Sequence, residues 1–212
     1  LFEVIVIDDH STDKTAAIVQ QFPSVKLIQL KEDNINSYKK KAIETGIAAA
    51  TGDLIVTTDA DCLPGNNWLA TVASFKTENQ SAFIAAPVVF ENNNSFLQIF
   101  QTLDFLFLQG ITGASVYKNA HSMCNGANLA YEKKVFEEVN GFQGIDNIAS
   151  GDDMLLMHKI WKEQPEKVHY VKSKDAIVST QPMKTWKAFF NQRIRWASKA
   201  KNYDDKRITV VL

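Results

Sequence analysis

Apolar and polar positions alternate in blocks along the first half of this chain. A short run rich in β-branched residues, Val4-Ile5-Val6-Ile7, predicts a buried strand over about 2–8. Ser11 or Thr12 is placed to cap a helix that runs through Gln20 and Gln21 and stops at Pro23. A second strand follows over 25–30. Next comes a helix over 37–50, with Ala42, Ile43, Gly46, Ile47 and Ala50 on one face and Gly52 at its end. Leu54-Ile55-Val56-Thr57-Thr58 is a third strand, followed by a helix carrying Trp68, Leu69, Val72 and Phe75. Strand and helix in this alternation predict an α/β fold: a doubly wound, mostly parallel sheet with helices on both faces.

The second half is less regular. Residues 83–90 read as one strand. Residues 96–110 form a helical stretch that is apolar almost all round, with Phe96, Leu97, Phe100, Phe105, Leu106, Phe107 and Leu108. A helix lying on a membrane surface would look like this, but burial between layers is the commoner fate of such a pattern. Asn125-Gly126-Ala127-Asn128 opens another strand, Asp153 starts a helix through Trp161, and an amphipathic helix runs over about 185–201. No repeat or linker interrupts the chain, so residues 1–212 read as one domain with halves 1–90 and 91–212.

Composition narrows the class little. Hydrophobic residues make up 45% of the 212 and charged residues 22%, ordinary for a globular domain with a sizeable core. A net charge of −1 provides no field for nucleic acid. Cys62 and Cys124 lack metal-ligand spacing; two free thiols in a reducing compartment is the plain reading, with a single disulfide as the alternative. No run of eighteen apolar residues suggests a membrane span, and both ends look cut from a longer protein.

The chemistry sits in four clusters. In open α/β sheets ligands bind beyond the carboxyl ends of strands, and the first and third strands end in Asp8-Asp9 and in Asp59-Ala60-Asp61. Adjacent carboxylates repel unless something positive is near. Hard oxygen donors of this kind suit Mg²⁺ or Mn²⁺, with a nucleoside diphosphate completing the shell. Ser11 and Asp13 are better read as caps. Gly151-Asp152-Asp153 begins a helix, where acids are favoured in any case, but one of the two can also serve as a general base. Gln192, Arg195 and Trp196 are three and four apart on the last helix, offering a guanidinium for a diphosphate and a flat ring for a sugar. From Lys39-Lys40-Lys41 one lysine, assigned to Lys40, could reach a phosphate. His10, His121, His158 and His169 show no ligand spacing.

Together these motifs resemble the family 2 glycosyltransferases of the GT-A fold, from the first residue to about Lys201. Asp8-Asp9 looks like the donor-nucleotide motif, Asp59-Ala60-Asp61 like the Asp-x-Asp metal motif, and Asn125 to Asn128 like the acceptor-side strand. Asp152-Asp153 stands where the family carries Glu-Asp, and Gln192, Arg195 and Trp196 match Gln-x-x-Arg-Trp. The resemblance implies inverting transfer of a sugar from a nucleotide sugar, by analogy a UDP-sugar, to a glycan or lipid-linked acceptor. Asp8, Asp9, Lys40, Asp59, Gln192 and Arg195 would bind the donor, Asp61 and Asp59 the metal, and Asn125, Asn128 and Trp196 the acceptor. Asp153, assisted by Asp152, would be the base. The family pattern begins one strand and helix earlier and often continues into transmembrane helices. It therefore implies a membrane-bound parent with this domain on the cytoplasmic face. A rival reading is a response-regulator receiver, with Asp8 and Asp9 on Mg²⁺ and Asp59 as phosphoacceptor; it leaves Asp152-Asp153 and the Arg-Trp helix without a role.

Overall fold

The structure, a computed structural model, describes residues 1–32, 37–91, 95–120, 123–145 and 151–197. In chain order the elements are β1 (Val4–Asp8), α1 (Thr15–Val19), β2 (Val25–Gln29), α2 (Tyr38–Ala49), β3 (Leu54–Thr57), β4 (Leu63–Pro64), α3 (Trp68–Asn79), β5 (Phe83–Ala85) and β6 (Val88–Phe90). Then come α4 (Phe96–Tyr117), β7 (Leu129–Glu132), α5 (Lys133–Glu138), α6 (Asp152–Glu163), β8 (Val168–Tyr170), β9 (Val178–Thr180) and α7 (Trp186–Ala197). The mixture is α/β, as the blocks of apolar residues predict. The chain groups into two compact units, Leu1–Ile55 with Glu132–Asp152 and Val56–Tyr131 with Asp153–Leu212. His121 and the expected helical residues beyond Ala197 lie outside the described residues.

In the first unit β1 and β2 pair in parallel, from Val4 opposite Val25 to Asp8 opposite Gln29. Helix α2 begins where the helix over 37–50 was expected to, and the Ser37 hydroxyl caps it by accepting the Lys40 amide. It lies close over β1: a Cβ on Gly46 would sit 3.5 Å from Ile7. The Glu3 carboxylate binds the far end of α2 to the start of β1, accepting the Thr51 amide at 2.6 Å and the Gly52 amide at 3.2 Å. After α5 the chain reverses at Gly141, whose φ of +46° and 2.8 Å approach to the Phe136 ring exclude a side chain.

One sheet has the order β3-β7-β5-β8, and within the second unit another has the order β4-β9-β6. β5–β8 and β6–β9 are parallel, while β7 and β4 join antiparallel to β5 and β9. The core is built on Phe83 stacked against its cross-strand partner Tyr131, with Met157 and Ile160 of α6 fully buried.

Three elements differ from expectation. Helix α1 starts at Thr15, not Ser11 or Thr12, because the Ser11 amide is taken by Asp8 and His10 adopts a φ of 56°. Asp13 does act at the helix start, accepting the Thr15 amide at 2.8 Å. The strand expected over 83–90 is two strands in different sheets. Pro87 has no N–H for a ladder, and its carbonyl instead receives the Val178 amide and the Asn128 side chain. Helix α4 runs on to Tyr117, and it is not buried all round: Phe96, Leu103 and Phe107 are exposed.

Candidate active site

The turn after β1 is closed by its own first carboxylate. Asp8 is only 2% exposed; Oδ1 accepts the Ser11 amide and Oδ2 the Gln29 side-chain amide, each at 3.1 Å. The parallel register that sets Gln29 opposite Asp8 makes the second bond possible. These donors hold the Asp8 carboxyl below the usual carboxylate range. Asp9 is exposed, with His10 Nδ1 2.8 Å from its Oδ1. Of the pair, Asp9 is open to a ligand and Asp8 shapes the turn that presents it.

The turn after β3 is organised the other way. The Cys62 amide bonds the Asp59 carbonyl at 3.1 Å, and the chain leaves through β4, which is paired with β9. The Thr180 hydroxyl lies 3.5 Å from the Asp61 carbonyl. The main chain is thus fixed while the side chains stay accessible: Asp59 is half-buried and Asp61 exposed. Cys62 points inward with its sulfur 3.5 Å from Asp61 Oδ1, and burial pushes its thiol up. Neither cysteine forms a disulfide, and both are buried. Among the described residues no cluster of three or more His, Cys, Asp or Glu could hold an ion alone. Two hard carboxylates on one fixed turn fit Mg²⁺ or Mn²⁺ shared with substrate phosphates, since such ions use one or two carboxylates of the protein.

Asp153 is held by two main-chain amides. Oδ1 accepts Met154 N and Oδ2 accepts Gly126 N, both at 2.9 Å, so the Asn125 to Asn128 turn and the start of α6 meet at this carboxylate. Each oxygen keeps a further lone pair. Asn125 is half-buried and uses its Oδ1 on Ala127 N. Among the described residues no protein acceptor takes its amide nitrogen. Asp152 is buried.

Asn128, expected at the acceptor, is a cross-link of the core instead. Its Nδ2 donates to the carbonyls of Pro87 and Ala176, each at 2.8 Å, and its Oδ1 accepts Trp68 Nε1 at 3.0 Å. Lys40, expected at a phosphate, is 2% exposed and its ammonium donates to the Ile145 carbonyl. The first turn of α2 faces into its unit, so the middle lysine of the three is the one turned inside.

On α7, Arg195 is exposed and Gln192 and Trp196 are half-buried. Sequence reasoning missed Arg193. Its guanidinium bonds Asp104 of α4 and lies between two rings, 4.2 Å from the centre of Trp196 and 4.9 Å from that of Phe189. One face of the Trp196 platform is therefore occupied. The signal was available: Asp104 is the lone charge on an apolar helix and needs a cationic partner.

A sequence model described as Glycosyl transferase family 2 matches residues 1–139. Over 202 residues, 92% of the chain, it is 26% identical to the probable glycosyltransferase YdaM of Bacillus subtilis. It is 23% identical over 203 residues to the poly-beta-1,6-N-acetyl-D-glucosamine synthase of Staphylococcus epidermidis, again 92% of the chain. It spans about half of these relatives, 47% and 46% of their lengths. Among solved structures, the mannosyltransferase PcManGT of Pyrobaculum calidifontis, in complex with GDP-Man and Mn²⁺, superposes with a TM-score of 0.70 at 21% identity. That match covers 99% of this chain and 59% of the other. The S. aureus TarS fragment 1–349 with UDP-GlcNAc gives 0.61 at 18% identity, covering 96% and 59%. The fold is thus that of the GT-A glycosyltransferases, and the receiver alternative is set aside. With two thirds of its length matched by the family's own pattern, the chain belongs to glycosyl transferase family 2.

Proposed function

We propose that residues 1–212 act as one inverting, metal-dependent transferase domain that moves a sugar from a UDP-sugar to a glycan or lipid-linked acceptor. The observation that carries this reading is the Asp153 carboxylate, oriented by Gly126 N and Met154 N beside Asn125. Residues 1–90 serve mainly the donor and 91–212 the acceptor. Asp9, presented by the turn that Asp8 closes, accepts hydrogen bonds from the nucleoside. Asp61 and Asp59 hold Mg²⁺ or Mn²⁺, which when bound neutralises diphosphate charge. Arg195, with Gln192 on the same helix, stabilises the diphosphate as it leaves.

Asp153 takes the proton of the acceptor hydroxyl as its oxygen attacks the anomeric carbon from the face opposite the diphosphate. The C–O bond to the diphosphate breaks with its electron pair on the leaving group, and the configuration inverts. Asn125 binds an acceptor hydroxyl through its amide nitrogen, and the open face of Trp196 packs a sugar ring. The Gln-x-x-Arg-Trp pattern supports a membrane-bound parent with this domain on the cytoplasmic side.

The test is calorimetric titration of UDP, with and without Mn²⁺, into the wild type, Asp61→Asn and Asp153→Asn. Metal-dependent binding lost in Asp61→Asn but kept in Asp153→Asn, together with loss of sugar transfer in both, supports these roles. Equal loss of UDP binding in the two variants would refute the division between metal and base.

A further inference from the structure

His10 stands where the backbone of the β1 turn favours glycine. Its φ is 56°, in the left-handed region that glycine enters freely and few other residues enter. The turn itself is closed by other bonds, since Asp8 holds the Ser11 amide and the Gln29 side chain. The imidazole therefore serves something besides the turn. It reaches in two directions, both within the first unit. Nδ1 lies 2.8 Å from Asp9 Oδ1, and because an ionised carboxylate only accepts, Nδ1 is the donor. The ring also meets Tyr38 of α2 edge-on, with 6.0 Å between ring centres and 89° between planes. Tyr38 and Asp9 together hold the imidazole in place.

That bond makes the two oxygens of Asp9 unequal. Oδ1 is taken by His10, while among the described residues Oδ2 accepts no protein hydrogen bond, and both side chains are exposed. With Asp9 read as the acceptor for the nucleoside, the reading on which this inference rests, the site offers a base one carboxylate oxygen rather than two. Uracil presents a single imide N–H, which one oxygen satisfies. Guanine presents N1–H and N2–H side by side, a pair that matches both oxygens of a carboxylate. With Oδ1 occupied, one guanine donor is left unpaired on binding, at a cost of about tenfold or more in affinity. Glycine at this position would relieve the backbone, but it would also release Oδ1. We propose that His10 is a specificity-determining residue, which tunes Asp9 to uracil and against guanine.

Calorimetric titration of UDP and of GDP, each with Mn²⁺, into the wild type, His10→Gly, His10→Asn and Asp9→Ala tests this. The wild type is expected to bind UDP about tenfold or more tighter than GDP. In His10→Gly the affinity for GDP should rise about tenfold while that for UDP changes by less than about threefold. A gain in GDP binding is an effect that a purely structural role for His10 would not produce. The melting temperature should stay close to wild type, because relief of the left-handed residue offsets the extra freedom of glycine in the unfolded chain. His10→Asn also tolerates the left-handed backbone and keeps a side-chain N–H, so its GDP binding should lie nearer to wild type than to His10→Gly. UDP binding that Asp9→Ala leaves unchanged overturns the assignment of Asp9 to the nucleoside, and the role of His10 with it; so does a wild type that binds neither nucleotide. Where Asp9→Ala does weaken UDP binding, the role of His10 alone is overturned by any of three results: a wild type without preference for UDP, an unchanged ratio in His10→Gly, or a His10→Asn that matches His10→Gly.

Discussion

The turns after β1 and β3 begin alike and end differently. Both place two carboxylates just beyond an apolar strand, yet Asp8 is buried under two protein donors while Asp61 is exposed on a turn fixed through its main chain. A carboxylate already supplied with hydrogen bonds stabilises its own loop. One whose backbone is held but whose oxygens are accessible can serve a ligand. Paired acids at strand ends are therefore not equivalent evidence for a site; what each oxygen already touches decides the matter.

Substitutions can break that contrast directly. Asp61→Asn should cost about two orders of magnitude or more in sugar transfer while moving unfolding stability by less than about 0.5 kcal/mol, read from a urea melt beside a transfer assay. Asp8→Ala should do the reverse in its first effect. It leaves the Ser11 amide and Gln29 without an acceptor and lowers stability by about 2 kcal/mol; an unchanged urea midpoint would remove Asp8 from its structural role. Gln29→Ala deletes one of those bonds and should cost about 1 kcal/mol by the same measurement.

The smallest effect is one of pH. The folded-state carboxyl of Asp8 titrates below the ordinary range. Its stabilising effect is complete above the unfolded value of about 3.9 and is lost as pH falls through the lower folded value. Melting temperature should therefore fall on acidification below about pH 4, and less steeply in Asp8→Asn. Identical slopes in the two proteins would assign the acid sensitivity to other groups.

How much could be read in advance differs between the same regions. The β3 turn was legible because a strand-end Asp-x-Asp is a local pattern, and α2 because Ser37 caps it locally. The late start of α1 was not: it depends on a loop closed by Asp8 with help from β2. The burial of Lys40 and Asn128 was equally hidden, since their partners Ile145, Pro87 and Ala176 are remote in sequence. Pro87 did give a readable warning that 83–90 could not be one strand. On α4 an all-round apolar pattern cannot say which side will be covered. The stretch expected to end at residue 110 continues to Tyr117, and a Cβ on Gly113 would lie 3.3 Å from the Tyr170 ring. That glycine serves packing rather than termination.

The bond from Gly126 to Asp153 bears on how this protein ages. Asparagine followed by glycine is prone to spontaneous deamidation, in which the glycine nitrogen attacks the asparagine side-chain carbonyl and closes a succinimide ring. Here the Gly126 nitrogen is engaged by Asp153 and the Asn125 carbonyl oxygen by Ala127, so nucleophile and electrophile are each held in place by another partner. Removing the carboxylate, as in Asp153→Ala, releases the Gly126 nitrogen and is expected to speed the accumulation of isoaspartate at Asn125 on storage, as peptide mapping would read.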